Sequence, residues 1–313
     1  MPAGFVAVTA LPVHVIIVNW NAIEETVRCL QSLSQTEPPP QQIHVVDNGS
    51  EHDEAARLAE SFPNVRVHAL ASNTGFAGGS NVGIRHALAE GAKFVFLLNN
   101  DARVDRDTIR ALVDAASRHP SAGLIGPRIW RDRARDVLWA CGVRMGFGPN
   151  LGQLRGFNQL GQGRYLNDER VDSLTGCGLL VRREVFEAIG VLDESYFVYV
   201  EDADFAARAR EAGFDCLYVS TAHLEHPGGY STGGGYAAGR KYLTAHGATR
   251  YLKRHGRFIN YMSWITFDVV LWPFLLVLAL FRGELRAAWA KGMGTLHGVL
   301  GLAPRPPSRT RSS

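Results

Sequence analysis

Phe94-Val95-Phe96-Leu97-Leu98-Asn99-Asn100-Asp101-Ala102-Arg103 is an unbroken apolar run that ends abruptly in polar residues. A run without alternation reads as a strand covered on both faces of a parallel sheet. It delivers Asp101 to the sheet's carboxyl edge, where open α/β sheets bind ligands. A carboxylate there, preceded by two amides, suits Mg²⁺ or Mn²⁺ held together with phosphate oxygens. Asp101 could equally cap the helix that follows, so the flanking sequence has to decide.

Working outward, apolar β-branched runs at 13–18, 43–46 and 65–70 alternate with helix-like stretches at 24–34, 53–61 and 84–90. The first hundred residues therefore read as βαβαβ with a parallel sheet. Each strand ends in a polar cluster: Asn19-Trp20-Asn21, Asp47-Asn48-Gly49-Ser50, the glycine-rich segment 73–83, and Asn99-Asn100-Asp101. Asn19, Asp47, Asn73 and Asp101 thus gather along one sheet edge from distant points of the chain. Asp47 can accept from a base N–H or a ribose hydroxyl. Gly75, Gly78 and Gly79 let backbone approach a ligand, or form a flexible turn. Neither GxGxxG nor a GxxxxGK[ST] phosphate loop is present, which excludes the two common nucleotide motifs.

The 313 residues, 46% hydrophobic and 20% charged, describe a globular chain. A net charge of +3 makes no case for nucleic acid. Cys29, Cys141, Cys177 and Cys216 form no CxxC pair or zinc spacing, so reduced thiols are expected. The N-terminal residues lack the basic and apolar regions of a secretory signal, and catalysis is expected on the cytoplasmic side.

The second half carries Thr175-Gly176-Cys177-Gly178, a helix-like 184–189, and Tyr196-Phe197-Val198-Tyr199-Val200 leading into Glu201-Asp202-Ala203-Asp204. Three carboxylates within four residues repel one another unless something uses them. A helix N-terminus accounts for one of them. The aromatic lead-in partly buries them, raising their pKa toward that of a general base. Of the later histidines, His223 reads as structural, and His226, before a Pro-Gly-Gly turn, as the better ligand. Residues 130–167 read as a variable segment facing an acceptor.

These motifs together resemble the inverting family 2 glycosyltransferases of the GT-A fold, in the rhamnosyltransferase-like branch. The residues that carry the resemblance are VNWN at 18–21, VDNGS at 46–50, NTGFAGGSNVG at 73–83, LLNNDA at 97–102, the segment 176–214, and AHLEH with GGYSTG at 222–233. The resemblance implies a mostly parallel central sheet with helices on both faces, and a catalytic domain over residues 1–250. It implies that Asn19 and Asp47 contact the nucleoside and that the 73–83 loop, with Asn73, Gly75, Gly79 and Asn81, walls the pocket. Asn99 and Asn100 would lie beside the donor, while Asp101 and His226 would hold Mg²⁺ or Mn²⁺ on its diphosphate. Asp202 would be the catalytic base, with Glu201 and Asp204 shaping the acceptor side. The donor would be a dTDP- or UDP-sugar, foremost dTDP-rhamnose, and the acceptor a cell-surface polysaccharide or polyprenyl-linked glycan. One departure stands out: many members carry two carboxylates where this chain has Asn99-Asn100-Asp101. An amide cannot neutralise charge, so weaker metal affinity is expected. A UDP-hexose or galactofuranose transferase and a catalytically weak nucleotide-sugar-binding scaffold are the alternatives. A nucleotidyltransferase would show a basic glycine loop after the first strand, which VNWN is not.

Residues 251–303 read as apolar or amphipathic helices and 304–313 as a disordered basic tail. The stretch 264–281 is long enough for a membrane span but is interrupted by Asp268 and Pro273, and both flanks are basic. Peripheral attachment to the inner face of the plasma membrane is the expectation, with packing on the catalytic domain or in a homodimer interface as the alternative.

Overall fold

A computed structural model describes residues 10–146, 151–227 and 238–304. The whole GGYSTG segment, and all of the basic tail but Pro304, lie outside them. The first half is β1 (Leu11–Asn19), α1 (Ile23–Leu33), β2 (Pro40–Asp47), α2 (Glu54–Ser61), β3 (Arg66–Ala69), α3 (Gly75–Ala89) and β4 (Phe94–Asn99). Then come β5 (Arg103–Val104), α4 (Thr108–Arg118), β6 (Ala122–Trp130), β7 (Leu138–Ala140), β8 (Val143–Met145), β9 (Gly152–Leu154) and β10 (Glu169–Val171). After β11 (Gly178–Arg182) follow α5 (Arg183–Ile189), α6 (Glu201–Glu211) and β12 (Asp215–Glu225). The chain continues with α7 (Ala238–His255), α8 (Phe258–Trp264), a π-helical stretch Ile265–Val270, α9 (Trp272–Phe281) and α10 (Leu285–Leu300).

The main sheet runs β10-β12-β6-β11-β4-β1-β2-β3. From β4 to β3 every pairing is parallel, as the alternating strands and helices dictate. β11 then inserts antiparallel between β4 and β6, so the whole sheet is mixed. β4 lies near its middle and is covered on both faces: Val95 and Leu97 enter one hydrophobic cluster, Phe94, Phe96 and Leu98 the other. Burying a side chain such as Phe96 stabilises the fold by about 1.5–3 kcal/mol.

The glycine-rich segment is not a loop. α3 begins at Gly75, nine residues before the expected start at Ile84. The reason lies in spacing: Gly75, Gly79 and Gly83 recur every four residues and share one helix face. A Cβ on Gly79 would come 2.9 Å from Val18 Cγ1, and one on Gly83 2.5 Å from Ile16 Cγ2. Glycine lets α3 lie directly on β1. The stretch beginning at residue 124 belongs to a nine-residue strand buried throughout, and 130–167 holds three short strands, β7 to β9.

α10 packs on α7 through glycines, with the Cβ position of Gly294 only 2.2 Å from Tyr242 O. Facing outward, Phe258, Ile259, Phe274 and Phe281 are 78%, 69%, 69% and 84% exposed. Among the described residues no single helix is long and apolar enough to cross a membrane. The pair Phe258–Val270 and Trp272–Phe281, bent by 42°, reaches that length and composition together.

Candidate active site

The carboxyl ends of β1 and β4, the start of α6 and the α7–α10 layer surround one cavity of 1180 Å³. Its polar end holds Asn73, Gly75, Asn99, Asn100, Asp101, Glu201, Asp202 and His226. These come together from four separate segments. The other end is lined by Trp264, Phe267, Leu271, Trp272, Leu275 and Leu278 from the C-terminal helices.

At the polar end, Asp101 Oδ1 lies 3.1 Å from His226 Nε2, both side chains nearly buried. Asn99 Nδ2 reaches the same imidazole nitrogen at 3.2 Å, and Trp139 meets the ring edge-on. Burial raises the Asp101 carboxyl, but the neighbouring imidazole outweighs it and holds the group below its usual value. Asn100 donates to Thr26 Oγ1 at 3.1 Å. His223 is tied away from this centre by Trp130 Nε1, 3.0 Å from its Nδ1.

Asp202 sits in the first turn of α6. Its Oδ2 accepts from Gly176 N–H at 2.9 Å and its Oδ1 from Ala203 N–H at 2.7 Å. Glu201 is 5% exposed and its Oε2 has no hydrogen-bond partner. Burial, then the neighbouring Asp202 charge, pushes Glu201 well up. Burial raises Asp202 too, against the two backbone N–H groups that favour its anion. Of the pair, Asp202 is therefore the one that keeps the charge. The backbone leading in is strained: Phe197, Tyr199 and Val200 have φ of 63°, 70° and 75°. Non-glycine residues held there cost about 1–3 kcal/mol each and cluster at functional sites. Gly75 permits the fold, since a Cβ on it would lie 2.3 Å from Phe197 O.

Five of the expected site residues do not line the cavity. Asp204 does not face the cavity. Two residues on from Asp202 it points to the other side of the helix, where it is fully buried between Arg208 Nε at 2.8 Å and His255 Nε2 at 2.9 Å. It ties α6 to α7. Asn81 is likewise fully buried: it donates to Leu192 O and Glu194 Oε1 and accepts from Leu192 N–H, clamping α3 to the 192–194 turn. Gly79 lies against β1, not the cavity. Asn19 and Asp47 stand at the strand ends but do not line the cavity, being 0% and 5% exposed. Asn19 Nδ2 donates to Asp47 Oδ1 at 2.8 Å and Glu54 Oε2 at 2.7 Å, and its Oδ1 accepts from Thr26, which holds Asn100. This network underpins the site floor.

Sequence reasoning passed over Asn48, which lines the cavity and binds both Thr74 N–H at 2.9 Å and Gly75 O at 2.9 Å. It aims the start of α3. Its place beside Asp47 was the available signal. Gly176, which holds Asp202 through backbone alone, left no side-chain signal to find.

The Glycosyl transferase family 2 model matches residues 14–190. The chain belongs to glycosyl transferase family 2. As a whole the transferase is 33% identical over 257 residues to an N-acetylglucosaminyl-diphospho-decaprenol L-rhamnosyltransferase of Mycobacterium tuberculosis, covering 76% of this chain and 82% of that one. It is 24% identical to a dTDP-rhamnosyl transferase, RfbF, of Shigella flexneri, covering 68% of each. Among solved structures, a mannosyltransferase of Pyrobaculum calidifontis in complex with GDP-Man and Mn²⁺ superimposes with a TM-score of 0.58 at 14% identity, over 94% of this chain and 90% of that one. The fold of the transferase is therefore GT-A.

The donor set of this transferase fits a divalent cation. Asp101 Oδ1 is buried without a hydrogen-bond partner and faces the cavity. Its 3.1 Å spacing from His226 Nε2 matches adjacent ligands of an octahedral ion bound at about 2.1–2.2 Å. Asn99 and Asn100 add no charge.

Proposed function

We propose that this transferase moves a sugar, foremost rhamnose from dTDP-rhamnose, onto a hydroxyl of a lipid-linked glycan with inversion at the anomeric carbon. The observation that carries the reading is Asp202, fixed by two backbone N–H groups in the polar end of a cavity whose other end is apolar. The two relatives named for rhamnosyl transfer support the sugar, and the decaprenol in one name supports the lipid-linked acceptor.

In this reading the nucleoside settles over the ends of β1 and β2 against Trp20 and Asn48, with Asp47 beneath. Asp101 and His226 would hold Mg²⁺ or Mn²⁺, which supplies charge neutralisation for the departing diphosphate. Asp202 accepts the acceptor hydroxyl's proton as that oxygen attacks the anomeric carbon from the face opposite the diphosphate. Burial and the Asp202 charge raise Glu201, whereas backbone N–H groups favour the anion of Asp202 beside the acceptor. The lead-in strain fixes this geometry before substrate arrives. The lipid of the acceptor lies along the Trp264–Leu278 wall, and the exposed apolar side chains of α8 and α9 rest on the cytoplasmic membrane surface.

The test compares wild type with Asp202→Asn against dTDP-rhamnose, UDP-galactose, UDP-galactofuranose and GDP-mannose, with and without Mn²⁺. Metal-dependent binding of dTDP-rhamnose, with binding kept and transfer lost in Asp202→Asn, supports the proposal. Selective use of a UDP-sugar replaces the donor assignment. Failure to bind any donor overturns the proposal.

A further inference from the structure

Outside the cavity lining, histidines from three neighbouring strands of the same sheet form a row. His14 of β1, His44 of β2 and His68 of β3 lie on the sheet face that carries α3, as alternation with Ile16 and Val46 requires. His14 Nδ1 is 3.1 Å from His44 Nε2, and His44 Nδ1 is 3.1 Å from His68 Nε2. His14 and His44 are 1% and 0% exposed. The end of α3 closes over them: His86 stacks on His68 with centroids 4.2 Å apart, and Glu90 reaches in from the helix C-cap.

Glu90 Oε2 lies 4.0 Å from His14 Nδ1 and 3.8 Å from His44 Nε2. The three edges of this triangle, 3.1, 3.8 and 4.0 Å, bracket the roughly 3.3 Å that separates ligands of a tetrahedral Zn²⁺ bound at about 2.0–2.1 Å. Among the described residues this is the one group of His, Cys, Asp and Glu whose ligand atoms converge in this way. A further feature asks for a cation. A carboxylate at a helix C-terminus faces the negative end of the helix dipole, which favours positive charge. Neutral imidazole is the form that ligates metal. Arg66, largely exposed, lies 3.4 Å from the other oxygen, Oε1, and leaves Oε2 turned toward the imidazoles.

We propose that His14, His44 and Glu90 bind a zinc-class transition-metal ion, a site distinct from the Asp101–His226 centre. His14 Nδ1, His44 Nε2 and Glu90 Oε2 are its protein ligands, and the fourth position opens toward solvent beside the partly exposed Glu90. His68 accepts from His44 Nδ1–H, which turns the Nε2 lone pair to the ion, as outer partners of metal-bound histidines do. Binding places the His14 proton on Nε2, the nitrogen that has no partner. The ion pins the end of α3 to β1 and β2, and α3 at its other end carries Gly75 and Phe76 into the catalytic cavity.

The probe is Zn²⁺ titrated into the full chain carrying Asp101→Asn, which weakens the catalytic centre as a competing site. One equivalent is expected to bind and to raise Tm, and Co²⁺ in its place is expected to give the strong visible bands of four-coordinate nitrogen and oxygen ligation. Adding Glu90→Gln, at a partly exposed position that tolerates the change, is expected to weaken Zn²⁺ binding at least tenfold and remove the Tm rise. Adding His44→Gln is expected to abolish the Co²⁺ bands. Zn²⁺ binding unchanged by Glu90→Gln, or no binding in the Asp101→Asn chain, overturns the proposal.

Discussion

Asp202 and Glu201 are neighbours with opposite hydrogen-bond supply, and this decides what each does. Removing the Asp202 charge while keeping its shape in Asp202→Asn is expected to lower kcat by about 10²- to 10⁴-fold, with donor binding by calorimetry unchanged. Glu201 gives a stability signature. Its folded pKa lies above its unfolded value, so between the two the folded chain holds the extra proton and stability falls as pH rises. At pH below the usual carboxylate range both states are protonated and the penalty vanishes. Glu201→Gln is therefore expected to raise Tm near neutral pH by an amount that shrinks toward zero on acidification, followed by thermal melts across that range. Asp101→Asn removes the single carboxylate of the donor end, and stimulation of donor binding by Mn²⁺ is expected to disappear. That Asp101, Asp202 and His226 share a cavity was legible because each stands at a strand end or helix start. Asp204 was not: only the helix turn separates a cavity residue from one buried against Arg208 and His255.

At the scale of elements, α3 shows what a sequence conceals. Glycines that look like loop chemistry are here the contact face of a helix, and nothing local to 73–83 reveals that Val18 and Ile16 lie beneath. Gly83→Ala is expected to destabilise the chain by about 1–3 kcal/mol in urea denaturation, because the new Cβ meets the stiff, buried Ile16 at 2.5 Å. This outweighs the roughly 1 kcal/mol that alanine gains in a helix. The parallel half of the sheet was readable from unbroken runs such as 94–98, where burial on both faces erases alternation. The antiparallel entry of β11 between β4 and β6 was not readable, since strand direction is set by which neighbour it pairs with across eighty residues of intervening chain. β8 and β9 escaped for another reason: they are three residues each and partly exposed, too short to show a period.

For the molecule as a whole, the α7–α10 layer joins an outward apolar surface to an inward cavity wall. Because α10 packs tightly on α7, truncation after residue 257 would strip α7 of its packing partner as well as test the membrane. The cleaner variant replaces Phe258, Phe274 and Phe281 with glutamate, all exposed. It is expected to lose sedimentation with anionic vesicles while keeping its melting temperature and its hydrolysis of donor in solution. Unchanged sedimentation would remove the membrane from the reading. The same molecule carries four thiols, Cys29, Cys141, Cys177 and Cys216, all unpaired and all buried, and burial pushes Cys29 and Cys216 up to about 12. Such thiols are poor nucleophiles toward alkylating reagents. A single cysteine introduced at position 274 would then label alone in the native protein, and a spin or fluorescent probe attached there would report its depth in a bilayer without a cysteine-free background.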